Sequence, residues 1–148
     1  MYQSILKLLL QTSRDSIQSI GIFLLRVGIS LPMIIIHGWP KLSSYIEGNV
    51  DLFYPLGIGY ELSLLLAIFA EVICSILLIL GLFSRISAIP LIITMLVAMF
   101  LVNAGQPFIV KEKAFVFLMT YVFILLVGSG KFSIDALLTK KLSSINKH

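Results

Sequence analysis

Arg26, Ser30, Met33 and His37 recur at intervals of four, three and four residues, which on an α-helix sets them in one stripe. A guanidinium, a hydroxyl and an imidazole on a single apolar face can share a proton or donate to a ligand carbonyl. Glu71 and Ser75, one turn apart in a second apolar stretch, supply a carboxylate and a further hydroxyl. Lys41 lies just past the first stretch and Glu112 just ahead of the last. The candidate ligand-binding residues are therefore Arg26, Ser30, His37, Lys41, Glu71 and Glu112. The sequence assigns none of them a catalytic role.

Arg26 and Glu71 each sit near the centre of a long apolar run, Ile17–Ile36 and Leu62–Phe83. A lone charge at the centre of a membrane-spanning helix costs about 2.5–3.5 kcal/mol, so such residues face the bundle interior and find a partner. The two runs together predict an Arg26–Glu71 ion pair at one depth. That pair would serve as a register clamp or as part of a ligand site.

The elements that must hold these residues are apolar helices. Hydrophobic residues make up 59% of the 148-residue chain and charged residues 12%, against about 25% in ordinary soluble domains. A span needs about 20 mostly apolar residues, and the pattern predicts four, at about 17–36, 62–83, 86–102 and 112–128. Pro90 falls in the first turn of the third, where proline is tolerated, and Pro32 is expected to kink the first. Lys111 and Lys113 can snorkel to the headgroups at the start of the fourth. The expected fold is an all-α membrane protein, a single four-transmembrane-helix bundle in the cell (inner) membrane.

Orientation follows from the basic residues. Lys7, Arg14, Arg85, Lys131, Lys140, Lys141 and Lys147 fall on one side, and only Lys41, Lys111 and Lys113 on the other. The positive-inside rule places both termini in the cytoplasm. No cleaved signal peptide is expected, since no small-residue cleavage site precedes Arg14 and Asp15. Ile5, Leu6, Leu9 and Leu10 suit a short interfacial helix. Gly81, Ser84 and Arg85 make a tight turn that renders the second and third spans antiparallel neighbours, whereas 37–60 is the one long loop. Ser133 is placed to cap an amphipathic tail at 133–142, with Asp135 in its first turn. The tetrad Gly81-Leu82-Phe83-Ser84 is echoed by Gly130-Lys131-Phe132-Ser133, which hints at two related helix hairpins.

Several chemistries fall away. Cys74 is the single cysteine, which removes internal disulfides, CxxC redox pairs and cysteine metal clusters within one chain. His37 and the terminal His148 are the two histidines, so no bis-histidine haem is built within one subunit. A His–Met haem is formally allowed by Met33, Met95, Met99 and Met119, but methionines in spans usually pack, and neither haem nor metal is expected. No phosphate-cradling loop, zinc signature or hydrolase triad is present, and the net charge of +4 belongs to the cytoplasmic rim rather than to nucleic acid. A redox role would then need an organic cofactor such as a quinone, or a partner subunit.

Five ordered motifs carry a likeness: Leu25-Arg26-Val27-Gly28; His37-Gly38-Trp39-Pro40-Lys41; Glu71 followed by Leu80-Gly81-Leu82-Phe83-Ser84-Arg85; Met95-Leu96-Val97-Ala98; and Gly128-Ser129-Gly130-Lys131-Phe132-Ser133-Ile134-Asp135. From about Gly21 to Leu138 the chain resembles the DoxX family of small bacterial and archaeal membrane proteins. The resemblance implies a four-helix membrane fold. It also implies an association with membrane oxidoreductases, the family being named for a subunit of a thiosulfate:quinone oxidoreductase. Many members carry a second histidine near the end of the third span. Asn103 holds that place here, and an amide cannot shuttle a proton.

Two functional expectations follow. One is a quinone-associated component of a membrane oxidoreductase system, with His37 donating to a quinone carbonyl and with redox partner subunits or further copies of the chain beside it. The other is a non-catalytic scaffold that binds partner subunits or lipid.

Overall fold

The computed structural model describes residues 16–49 and 57–145. The expected interfacial helix at 5–10, the charges Lys7, Arg14 and Lys147, the loop residues Asp51 and Pro55, and His148 lie outside the described residues. Every regular element among the described residues is helical: α1 (Ser16–Ile46), α2 (Tyr60–Leu80), α3 (Ser84–Val102), α4 (Phe108–Val127) and α5 (Ile134–Ile145).

Three of these, α1, α2 and α3, are long and apolar enough to cross a membrane. The fourth long helix, α4, has 20 residues but carries Lys111, Glu112 and Lys113 in its first two turns. It packs along α3 and also touches α1.

Polarity is turned inside out, as a lipid solvent requires. Arg26, Ser30, Glu71, Ser75 and Ser84 are buried, while Leu24, Ile35, Phe100 and Leu126 are exposed. The apolar centre joins Met33 of α1, Cys74 and Leu78 of α2, Leu91, Met95 and Met99 of α3, and Leu118, Tyr121 and Ile124 of α4. Cys74 is a free thiol packed within it.

α1 runs well past the expected end of the first span, to Ile46, through Pro32 and Pro40. The chain passes Pro32 by widening into a π-helical turn at Met33–Gly38. A proline cannot donate to the ladder, and the i→i+5 pattern that follows absorbs the mismatch within a continuous helix. The extra residue also shifts the phase of the stripe. Arg26, Ser30 and Met33 are fully buried as their spacing predicts, but the next buried position is Gly38, five residues on, and His37 is only half-buried. Similar π turns occupy Phe69–Cys74 in α2 and Ala98–Val102 at the end of α3.

Gly38 sets the register of α1 against α2. A Cβ there would meet Val72 Cγ2 at 2.7 Å and the Glu71 backbone carbon at 3.3 Å, so the two π turns touch backbone to backbone. Arg26 precedes Gly38 by twelve residues, about 18 Å at 1.5 Å per residue. Arg26 and Glu71 therefore lie at different levels and do not form the expected ion pair. Centring each apolar run on the bilayer misjudged the register because α1 continues beyond Ile36.

The turn between α2 and α3 is a Schellman close. Gly81 takes φ +69°, its N–H donates to the Leu78 carbonyl at 3.1 Å, and the Leu82 N–H reaches the Leu77 carbonyl at 2.9 Å. Its echo at Gly130 is also left-handed, with φ +73°, and the two echoes pack on each other: the Asp135 N–H donates to the Gly81 carbonyl at 3.0 Å.

Candidate functional site

Glu71 is 2% exposed, and its carboxylate is gripped by the Lys41 ammonium, with Nζ 2.5 Å from Oε1 and 2.6 Å from Oε2. The grip arises because α1 carries Lys41 three residues past Gly38, next to the level at which Glu71 faces it. Lys41 is 23% exposed and so keeps a path toward the surface. A buried carboxylate with a cation on a flexible stem is an adjustable pair: the lysine can swing while the carboxylate stays fixed.

Beside this pair is a cavity of about 240 Å³, walled by His37, Lys41, Glu71, Asn103, Lys113 and Phe117 together with apolar residues of α3 and α4. All three π turns reach it: His37 comes from the first, Glu71 from the second, and Ala98 and Val102 from the third. Such turns place side chains that a regular helix would direct elsewhere, and they recur at functional sites. The His37 ring stands edge-on to Phe117, centroids 5.8 Å apart at 86°. Asn103 closes the third π turn, its side-chain amide donating to the Ala98 carbonyl at 2.8 Å. At about 30 Å³ per water in the liquid, the cavity volume corresponds to about eight waters, room for one substituted ring.

Of the expected site residues, His37, Lys41 and Glu71 meet here, while Arg26, Ser30 and Glu112 do not line the cavity. Ser30 is fully buried with its hydroxyl unpartnered. Glu112 is exposed and does not line the cavity, whereas Val110, Lys113, Ala114 and Phe117 do, Val110 and Lys113 being exposed at its rim, and Lys113 takes the place expected of Glu112. That i, i+3, i+4, i+7 spacing was a signal present in the sequence. The hydroxyls of Thr94 and Thr120 bond their own helices, to the Pro90 carbonyl at 2.9 Å and the Val116 carbonyl at 2.8 Å, rather than forming a seam across helices. The Tyr121 and Ser75 hydroxyls face each other without forming a hydrogen bond of normal geometry.

Arg26 belongs to the other end of the bundle. It is fully buried, donates from Nη2 to the Phe132 carbonyl at 2.5 Å, lies 5.8 Å from the centre of the Phe23 ring, and interacts electrostatically with Asp135. Asp135 in turn caps α3 from a distance. Its Oδ1 accepts from the Phe83 N–H at 2.8 Å and its Oδ2 from the Ser84 N–H at 3.2 Å, satisfying helix-start donors that no local side chain reaches. Arg85 ties the same region to the end of α4 through the Leu126 carbonyl at 3.0 Å. Ser133 accepts from the Ala136 N–H at 3.2 Å and so caps α5. A Cβ on Gly81 would run into Arg26 and Ser133, so glycine there is required by both conformation and space.

Among the described residues no group of three His, Cys, Asp or Glu side chains is arranged to hold a metal ion. No curated protein and no solved structure matches the chain. The DoxX family pattern matches residues 21–104. That span holds Arg26, His37, Lys41, Glu71, the Gly81–Arg85 turn and Asn103, while the glycine-rich segment at 128–135 lies beyond it. With more than half of its length matched and three helices able to span a bilayer, the chain is a multi-pass membrane protein of the DoxX family.

Proposed function

We propose that the protein is a quinone-associated component of a membrane oxidoreductase system in the cell (inner) membrane, with the cavity between α1, α2, α3 and α4 as the quinone headgroup site. The observation that carries this reading is the convergence of three π turns on a ring-sized space lined by His37, Lys113 and the Lys41–Glu71 pair. A quinone ring offers two carbonyl acceptors on a flat apolar body. Imidazole and ammonium groups are donors suited to the carbonyls, and Phe117 offers a ring face or edge to the body. Reduction of a quinone to the quinol takes two electrons and two protons. The electrons would come from a partner redox subunit, and the ionisable groups around the cavity supply or relay the protons.

In this reading α4 is the fourth span, giving a four-helix bundle with both termini in the cytoplasm. Its 20 residues cover about 30 Å, the thickness of the hydrocarbon core, and Val116, Met119, Phe123 and Leu126 face outward as lipid contacts. Lys111 and Lys113 then lie at the outer interface. The cavity opens toward the outer leaflet, and the Arg26–Asp135 end and α5 lie at the cytoplasmic face.

Trp39 is the single tryptophan, next in sequence to Gly38, and it serves as reporter. Titration of the purified protein with a short-tailed benzoquinone is expected to quench its emission saturably, and His37→Ala and Lys113→Ala are expected to weaken binding. Linear, non-saturating quenching that is the same in the wild type and in both folded variants would refute the proposal.

A non-catalytic scaffold, binding redox partner subunits or further copies of the chain, is favoured by one different observation. Arg26 does not line the cavity beside Glu71, and it holds the 128–135 segment through the Phe132 carbonyl and Asp135. Both single substitutions His37→Ala and Lys113→Ala would then leave cell function intact.

A further inference from the structure

We infer that α5 lies along the membrane–water interface and binds the phosphates of anionic phospholipids through Lys131, Lys140 and Lys141. This stands apart from the quinone reading and needs only that α5 starts at a membrane surface. The turn at 81–83 joins α2 and α3, two helices long and apolar enough to span, so it lies at a membrane face. Asp135 pins the start of α5 to that turn, its N–H on the Gly81 carbonyl and its carboxylate on the Phe83 and Ser84 N–H groups. The height of α5 is thereby set at the headgroup layer. From Ala136 to Ser143 no residue of α5 is buried, so the helix leaves the bundle after its first turn rather than packing into it.

The helix carries a face suited to that layer. Ile134, Leu137, Leu138 and Leu142 recur at i, i+3, i+4 and i+8, which makes one apolar side, and Leu137 is 68% exposed. At about 100° per residue, Asp135 falls on one flank of this side, while Thr139, Lys140 and Ser143 fall opposite to it. A helix held to the bundle by a flank, with its leucines turned neither into the protein nor onto its own polar side, is built to lie in an interface. Lys141 falls among the leucines, where its stem can follow them and its ammonium can reach the phosphates. Phe132, whose carbonyl is held by Arg26, leaves its ring exposed just ahead of the helix. The charge is one-sided: Asp135 is the single acidic residue after position 127, and it is buried in the α3 cap, whereas Lys131, Lys140 and Lys141 are exposed. Each basic residue near an anionic lipid surface strengthens attachment roughly fivefold.

The test is amide hydrogen exchange of the full-length protein in lipid nanodiscs loaded with a single copy, made either of phosphatidylcholine alone or with about 30% phosphatidylglycerol. In the anionic discs the amides of 138–145 are expected to exchange about tenfold more slowly, and raising the salt to about 0.5 M is expected to remove most of the difference. The combined variant Lys131→Gln, Lys140→Gln and Lys141→Gln should lose the difference while unfolding in detergent at the wild-type temperature. If that variant fails to fold, Lys131→Gln with Lys140→Gln carries the same test, with the difference reduced rather than lost. Equal exchange of wild type in the two lipids overturns the proposal, as does a slowing in anionic discs that the folded lysine variants keep in full. Slowing that appears only in discs holding two copies overturns it in favour of a contact between copies.

Discussion

Arg26 and Glu71 are almost equally hidden, at 0% and 2% exposure, yet their surroundings differ in kind. Arg26 is held by a backbone carbonyl of the chain's last turn region, in a space so filled that Gly81 tolerates no side chain. Glu71 is held by the end of a lysine side chain that is partly exposed, and a cavity lies alongside. A charge fixed by backbone cannot change partners without unfolding a loop. A charge fixed by a flexible ammonium can, and in the proposed reading the Arg26 end serves architecture and the Glu71 end ligand exchange.

The sharpest way to break that contrast is to remove each charge. Arg26→Ala leaves Asp135 without its cation and the 128–135 segment without its anchor; a loss of about 3–5 kcal/mol is expected, read as thermal unfolding in mild detergent. Glu71→Gln keeps shape and one of the two acceptors of Lys41 and should cost less, about 1–3 kcal/mol. A reversal of that order removes the distinction. Gly81→Ala comes next, since leaving the left-handed region to a Cβ costs about 1–2 kcal/mol before the collision with Arg26 and Ser133 is added; proteolysis between α4 and α5 should become faster. Gly38→Ala displaces mainly the Val72 methyl and is expected to be milder. Asp135→Ala removes the cap of α3 and also the anion beside buried Arg26, so it should cost more than a cap alone, which is worth about 1–2 kcal/mol, and hydrogen exchange should rise at Phe83 and Ser84. The smallest change is Thr120→Val, whose hydroxyl serves its own helix, with stability within about 0.5 kcal/mol of wild type. A large loss there would show that the hydroxyl serves more than its own helix.

Much of this was legible in the sequence. Long apolar runs dictate helices, the Gly81 turn dictates an antiparallel pair, and the burial of Arg26, Ser30 and Met33 follows from their spacing. What was hidden is register. Pro32 reads as a kink and the apolar run ends the first span at Ile36, ahead of the Gly38-Trp39-Pro40 stretch, yet a π turn carries α1 through both prolines, so Lys41 rather than Arg26 arrives at Glu71. No residue pattern marks a π turn, because it is a compromise between a missing donor and a helix that packing keeps continuous. The distant cap by Asp135 was equally hidden, since it joins residues 52 positions apart and depends on how the two hairpin ends stack. Lys113 was missed for a simpler reason: neighbouring charges on a helix point about 100° apart, and the phase of α4 decides which one borders the cavity.

The most direct test is a pair of double-mutant cycles on stability in detergent, one with Lys41→Met and Glu71→Gln and the other with Arg26→Met and Glu71→Gln. Residues in contact couple by about 0.5–3 kcal/mol, and distant ones add within about 0.3–0.5 kcal/mol. The expected result is clear coupling in the Lys41 cycle and additivity in the Arg26 cycle. Coupling between Arg26 and Glu71, with none between Lys41 and Glu71, would contradict the register of α1 against α2 and with it the separation of the two ends.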